Sequence, residues 1–187
     1  MKRIVTILIL IMSLNLSGCL SSGELSSIEI TINDCTFNPV RNTLQDLLDQ
    51  GYTYEINELY EAFDKVEGRS YTGRCIDICK DGKIKFSVGL YNDSAIQCNI
   101  LDATIGDVQV WIYEDRDDYE TANKVVFNGY DILNATIEET KEKFKDEKVS
   151  VYDDSLNIYF DKYSYEINFD ENNKIKYLEF DLHESDL

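Results

Sequence analysis

Acid–base and nucleophilic catalysis draw first on histidine, and this chain has one, His183, among its last five residues. A terminus that frays cannot hold an imidazole against a nucleophile, and the nearby hydroxyl of Ser185 sits on the same loose end. The spacings Ser-x-x-Lys, His-Glu-x-x-His, Gly-x-Ser-x-Gly and Gly-x-x-x-x-Gly-Lys do not occur, which removes the common acyl-enzyme, zinc-peptidase, hydrolase and nucleotide-binding signatures. Carboxylate-only chemistry of the glycosidase kind needs just two acids, and 36 Asp and Glu are present. Their number keeps any pair from standing out, so a carboxylate-dependent cell-wall enzyme is an alternative and the leading expectation is no enzyme and no cofactor. Glu114 with Asp115 to Asp118, and Asp170 to Asn173, offer oxygen ligands for calcium. Neither follows the Asp-x-Asp-x-Asp-Gly loop, and the second reads as a hairpin turn, so no metal site is expected.

The five cysteines divide into one and four. Cys19 ends the tetrapeptide Leu16-Ser17-Gly18-Cys19, which follows Lys2 and Arg3 and the apolar run Ile4 to Met12, extended by Leu14 and Leu16. A span needs about 20 apolar residues, so this run is the core of a signal peptide over residues 1–18. The tetrapeptide resembles the lipobox of bacterial lipoproteins, and the resemblance implies a diacylglyceryl group on the Cys19 thiol and cleavage in front of it. It places the mature chain on the outer face of the cell membrane, since two acyl chains anchor stably where one does not. Residues 19–27, rich in Ser and Gly, suit a tether. The formal charge of the whole chain is -18; cleavage removes Lys2 and Arg3 and no acid, leaving -20.

That charge excludes nucleic acid as a partner, because phosphate neutralisation needs basic surface. A protein or a cationic peptide fits it better. The remaining Cys35, Cys75, Cys79 and Cys98 are candidates for a disulfide in an exported protein, with three pairings open and free buried thiols as the plain alternative. Cys75 and Cys79 in one strand stand about 13 Å apart and cannot bond each other. Without a close Cys-x-x-Cys pair, zinc is not expected.

The elements that must position such groups are legible in the periodicity. Ile28, Ile30 and Ile32 alternate, Asn33-Asp34 turns, and Cys35 to Phe37 returns as a second strand. Thr43 caps a helix carrying Leu44, Leu47 and Leu48 and ending at Gly51. Leu59, Ala62, Phe63 and Val66 predict a second helix, capped by Asn57 and closed by Gly68. Cys75 to Cys79, the turn Asp81-Gly82, the stripe Ile84, Phe86, Val88 and Leu90, and the stripe Val108, Val110 and Ile112 predict an antiparallel sheet with Lys83, Lys85 and Ser87 on its wet face. After an apolar-poor linker over 114–124 the order repeats: Val125 to Phe127, Asn128-Gly129, Tyr130 to Leu133, then a third helix from the capping box Thr136/Glu139 to near Lys145. Three strands end the chain, and Ile175 and Tyr177 run out of phase with Leu178, Phe180 and Leu182, which predicts a bulge or burial on both sides. The expected fold is therefore α+β, an antiparallel sheet with about three short helices on one face, in related halves over 28–113 and 125–187. Gln109, Trp111 and Tyr113 point away from the core stripe. With Tyr159 they offer a partner-contact patch, unless a second layer, a crossing strand or the other half covers them, which is the plainer expectation.

The lipobox, the segment TLQDLLDQG after a hairpin, and the ending YEINFDENNKIKYLEF resemble the small acidic lipoproteins of low-GC Gram-positive bacteria. The second half is more loosely similar to the helix-then-three-strands repeat of the β-lactamase-inhibitor-like and outer-membrane assembly lipoproteins, although Lys145-Asp146-Glu147-Lys148 stands where that repeat often has a Gly-x-Pro corner. The anchor, the well-patterned core and the lack of a recognisable reaction centre lead to the expectation of a membrane-anchored extracytoplasmic binding module, and the -20 charge makes immunity-type capture of cationic peptides an alternative.

Overall fold

The computed structural model describes residues 28–112, 117–152 and 154–182. In chain order the elements are β1 (Ile30–Ile32), β2 (Cys35–Phe37), α1 (Leu44–Asp49), β3 (Thr53–Ile56), β4 (Lys65–Val66), β5 (Ser70–Tyr71), β6 (Ile76–Lys80) and β7 (Lys83–Asn92). They continue with β8 (Cys98–Asn99), a short 3-10 helix (Ile100–Asp102), β9 (Thr104–Trp111), β10 (Val125–Phe127), β11 (Tyr130–Asp131), α2 (Ile137–Lys143), β12 (Lys148–Tyr152), β13 (Ser155–Tyr159), β14 (Tyr163–Phe169) and β15 (Ile175–Leu182). Of the described residues, strand takes 47% and helix 11%, which makes this a mostly-β fold and corrects the expected α+β class with three helices.

The first and third expected helices form, each on a complete capping box: Thr43 with Asp46, and Thr136 with Glu139. The second does not. Asn57 begins a turn as a cap would, accepting from the Leu59 N–H at 3.1 Å, but long-range partners then take the backbone a helix needs. The Asp64 carbonyl accepts from Ile100, Lys65 and Val66 pair with Asn99 and Cys98, and the Asn92 side-chain amide donates to the carbonyls of Val66 and Glu67. Leu59 is left 85% exposed. Tertiary pairing outweighs a weak local preference here.

Two sheets result. The small one has the order β11-β10-β1-β2, the large one β12-β13-β14-β15-β9-β7-β6-β3, with β5 added beside β7. The large order is a palindrome in element type: hairpin, helix and four strands of the large sheet occur twice, the first four (β3, β6, β7, β9) interrupted by β4, β5 and β8, and the two sets meet through their last strands, β9 and β15. The smaller sheet is joined in the same way, through the antiparallel pair β1 and β10. The two stretches are therefore interlocked. The described part of the expected linker is also bound in, since Ile84 donates to the Asp118 carbonyl and accepts from the Glu120 N–H, both at 2.8 Å.

Side-chain alternation gives the large sheet two unlike faces. One cross-strand row runs Ile56, Ile76, Val88, Val108, Phe180, Tyr165, Ile158, Val149, and faces the small sheet and both helices. Phe37 stacks on Phe86 at 5.5 Å and Phe127 on Tyr165 at 4.3 Å between ring centroids, while Phe144, just past α2, meets Phe160 edge-on. Leu44 and Leu47 of α1 complete this core. Burying such side chains stabilises by about 1.5–3 kcal/mol each, which is what fixes the register. The expected bulge is present: Asn168 pairs with Tyr177 but Phe169 with Ile175, leaving Lys176 as the extra residue.

Candidate functional site

The other face of the large sheet is polar and aromatic, and it carries the chemistry. Its middle row runs Glu55, Asp77, Ser87, Gln109, Glu179, Glu166, Asn157, Ser150 across all eight strands. Toward β3, Asp77 and Ser87 of this row are covered while Glu55 is exposed, and of the wet face expected over Lys83, Lys85 and Ser87 only Lys83 is exposed. Ser87 donates to Asp77 at 2.6 Å and Lys85 pairs with Glu120, so that Asp77, Lys85 and Ser87 are all buried.

Toward β12 the outer face is partly open: Tyr152 and Lys148 are exposed, Trp111, Tyr177, Tyr159, Ser164 and Glu166 are half-buried, and Ser155, Asn157, Asn168 and Glu179 are buried. A flanking row, Trp111, Tyr177, Asn168, Ser155, Tyr152, begins and ends on aromatics, and a third holds Asp181, Ser164, Tyr159 and Lys148. The floor between Tyr177 and Tyr159 is made of short side chains, Ser155, Asn157, Ser164 and Asn168, with Glu166 and Glu179 directly opposite each other. Like charges placed so are destabilising unless a cation neutralises them. Glu179 has Arg74 and the Gln109 amide; Glu166 accepts from the Asn168 amide at 2.7 Å. The field reaches the phenols. Burial first, then the charges of neighbouring acids including Glu166, hold Tyr177 above its ordinary value, and burial, Tyr152 and Glu166 do the same for Tyr159.

Trp111 is half-buried on this face, with its ring 4.8 Å from that of Tyr177 and its indole N–H on Gln109 at 2.9 Å. Of the residues named for a patch, Trp111 and Tyr159 are half-buried on this face, with Tyr177 beside Trp111 and the exposed Tyr152 at the edge; Tyr113, like Cys19 and His183, lies outside the described residues.

The four remaining cysteines are free and apart in role. Burial pushes the Cys35 and Cys79 thiols up to about 11 and raises those of Cys75 and Cys98. Such thiols stay protonated and are poor nucleophiles and metal ligands. Among the described residues no group of three or more His, Cys, Asp or Glu is arranged to hold a metal ion. Asp170 spends one oxygen on its own turn, accepting from the N–H groups of Asn172 and Lys174.

Sequence reasoning missed a cluster where β5, β9 and β15 meet. Tyr71 lies across Gly89 and Gly106 and donates its hydroxyl to Asp107; Arg74 bridges Glu179 and Asp181. No spacing announces these residues among so many acids; the one usable signal was glycine at 89 and 106 inside strand patterns, which marks a close approach. A groove of about 1110 Å³ beside the start of α2 and a cavity of about 300 Å³ near Phe63 also occur, and neither is lined by Asp107 or Asp181. The chain matches no protein-family model, no curated protein and no solved structure.

Proposed function

We propose that this protein is a lipid-anchored binding module on the outer face of the cell membrane, and that it receives a basic polypeptide on the outer face of its large sheet, where Tyr152 is exposed and Glu166, Tyr159 and Tyr177 are half-buried. The observation that carries the reading is the pairing of Glu166 with Glu179 on a low floor between Tyr177 and Tyr159. Carboxylates attract ammonium and guanidinium groups, and aromatic faces add cation–π attraction of about 0.5–2 kcal/mol as the site dries. A mature charge of -20 steers such a partner from a distance. The anchor is supported by the leader and by Leu16-Ser17-Gly18-Cys19, and a tethered acidic body of this kind is suited to intercepting a cationic peptide before it reaches the lipid.

Two measurements test the two parts. Intact mass of the protein extracted from its native membrane should show loss of residues 1–18 and a lipid adduct that Cys19→Ser abolishes; an unmodified, uncleaved chain in the cytosol removes the anchor. An oligolysine peptide should bind the folded body at low salt and bind less as ionic strength rises. Glu166→Gln and Tyr159→Ala should each weaken it about fivefold or more, whereas Lys141→Ala on α2 should not. Absence of binding at low salt removes the docking surface.

A further inference from the structure

Asp107 and Asp181 stand at the end of the seam between the two sets of four strands. The β9–β15 pairs run from Trp111/Tyr177 to Val108/Phe180. Beyond them the Leu182 N–H goes to the Asp107 side chain, at 3.1 Å. The other Asp107 oxygen accepts from Tyr71. Arg74 reaches Asp181 at 3.7 Å while pairing with Glu179. The charged and titratable groups facing this spot are Tyr71 from β5, Arg74 from the loop ahead of β6, Asp107 from β9, and Glu179 and Asp181 from β15; β14 contributes the neutral Ser164 opposite Asp181. Two carboxylates thus pair with one guanidinium, the charge of a third, Asp107, acts on it as well, and Asp107 is almost wholly buried. Two uncompensated charges in such a place are costly, and retaining a proton is the cheaper solution.

We propose that Asp107 and Asp181 hold one proton between them and release it to solvent when a basic partner docks, so that docking is coupled to pH. The inference rests on the docking surface described above. Burial raises Asp107, and burial followed by the Asp107 charge pushes Asp181 up to about 7, so the proton is exchangeable near neutrality. Asp181 is in the row next to Glu166 and Glu179 on the same face. A cation seated over those glutamates lies within a diagonal cross-strand neighbour of Asp181 and favours its ionised form. By linkage, loss of the proton must then strengthen docking by the same factor.

Calorimetric titration of the intact mature protein with an oligolysine peptide, at pH 6, 7 and 8 and in two buffers of different ionisation enthalpy, tests this. The affinity should rise by roughly threefold to tenfold from pH 6 to 8, with an enthalpy that differs between buffers as proton release requires. Asp181→Asn should dock with the affinity the native protein has at pH 6, at every pH and with no buffer dependence. Should that variant not fold, carboxyl NMR of the native protein gives the same information: a midpoint near 7 at Asp181 that moves down when peptide is added. Docking with equal enthalpy in both buffers, or a midpoint that the peptide leaves in place, overturns the coupling and leaves the docking surface standing. No docking at any pH removes both.

Discussion

Asn33 and Asn128 make the same clasp in opposite directions. Asn33 donates its N–H to the carbonyl of Lys124 at 2.9 Å and accepts from the Lys124 N–H on its side chain; Asn128 donates to Glu29 at 2.9 Å and accepts from Glu29. Each sits in the left-handed region, φ 53° and 48°, at the turn after β1 or β10. Each therefore grips the residue that leads into the other's hairpin, and Thr31 pairs with Val126 midway between them. Asn suits the position twice, since it tolerates that backbone and its short amide reaches a neighbouring N–H.

Replacing one clasp separates these contributions. Asn128→Gly keeps the backbone free but loses the acceptor for Glu29, and should cost about 1 kcal/mol in urea unfolding. Asn128→Ala loses the acceptor and strains the turn as well, and should cost about 1 kcal/mol more. Equal effects of the two variants would mean the backbone angle is not what selects Asn.

Tyr71 should show its fit to Gly89 through a double mutant. A Cβ on Gly89 would press on the Tyr71 ring, with Cε2 and Cζ both at 2.8 Å, and displace the hydroxyl from Asp107. Gly89→Ala should therefore destabilise by about 2 kcal/mol or more, as overpacking does. Combined with Tyr71→Ala, the same substitution should add little beyond the cost of losing the ring. Simple additivity would show that strand propensity, not the ring, demands glycine.

How far the sequence reveals this fold depends on where each residue finds its partner. Local signals read true: the Thr43 and Thr136 boxes are satisfied within four residues, and the Asp81-Gly82 turn carries both its residues at positive φ. The helix expected from Leu59 to Val66 failed because Asn92 and Ile100, far along the chain, claim its backbone groups. The edge strands β3 and β12 carry little signal beyond the alternation of Val149 and Val151 with Lys148 and Ser150, since a half-exposed edge has the weakest pattern in a sheet. The site was legible only as Trp111 with Tyr159. Its acids are indistinguishable from solvated ones until cross-strand register sets Glu166 against Glu179 and buries Asp107 beside Tyr71.

Tyr165 is a core residue with an unmet need. Its ring stacks on Phe127 and touches Phe180, while its buried hydroxyl has no hydrogen-bond partner among the described residues, and burial holds the phenol far above its ordinary value. Tyr165→Phe keeps the stacking and removes a desolvated polar atom, so it should stabilise by about 1 kcal/mol. A loss of stability would reveal a partner for that hydroxyl.

Two carboxylates should give stability opposite slopes with pH. Asp34 is held down to about 2 by hydrogen bonds from Lys80 and Tyr52. Its folded form binds the proton less than the unfolded one, so it contributes fully above about 4 and loses that contribution as pH falls toward 2. Its side chain is 68% exposed, so solvent screening keeps the effect small. Asp181 runs the other way. Raised from 3.8 to about 7, it binds the proton more tightly when folded, so the protein gives up stability as pH climbs from about 4 to 7 and changes little beyond. Urea unfolding at pH 3, 5 and 8 should therefore find Asp181→Asn gaining on the native protein from 5 to 8, while Asp34→Asn narrows the native loss between 5 and 3. If the native protein and Asp181→Asn stay parallel from pH 5 to 8, the aspartate is already ionised across that range and the carboxyl pair at the seam shares no proton.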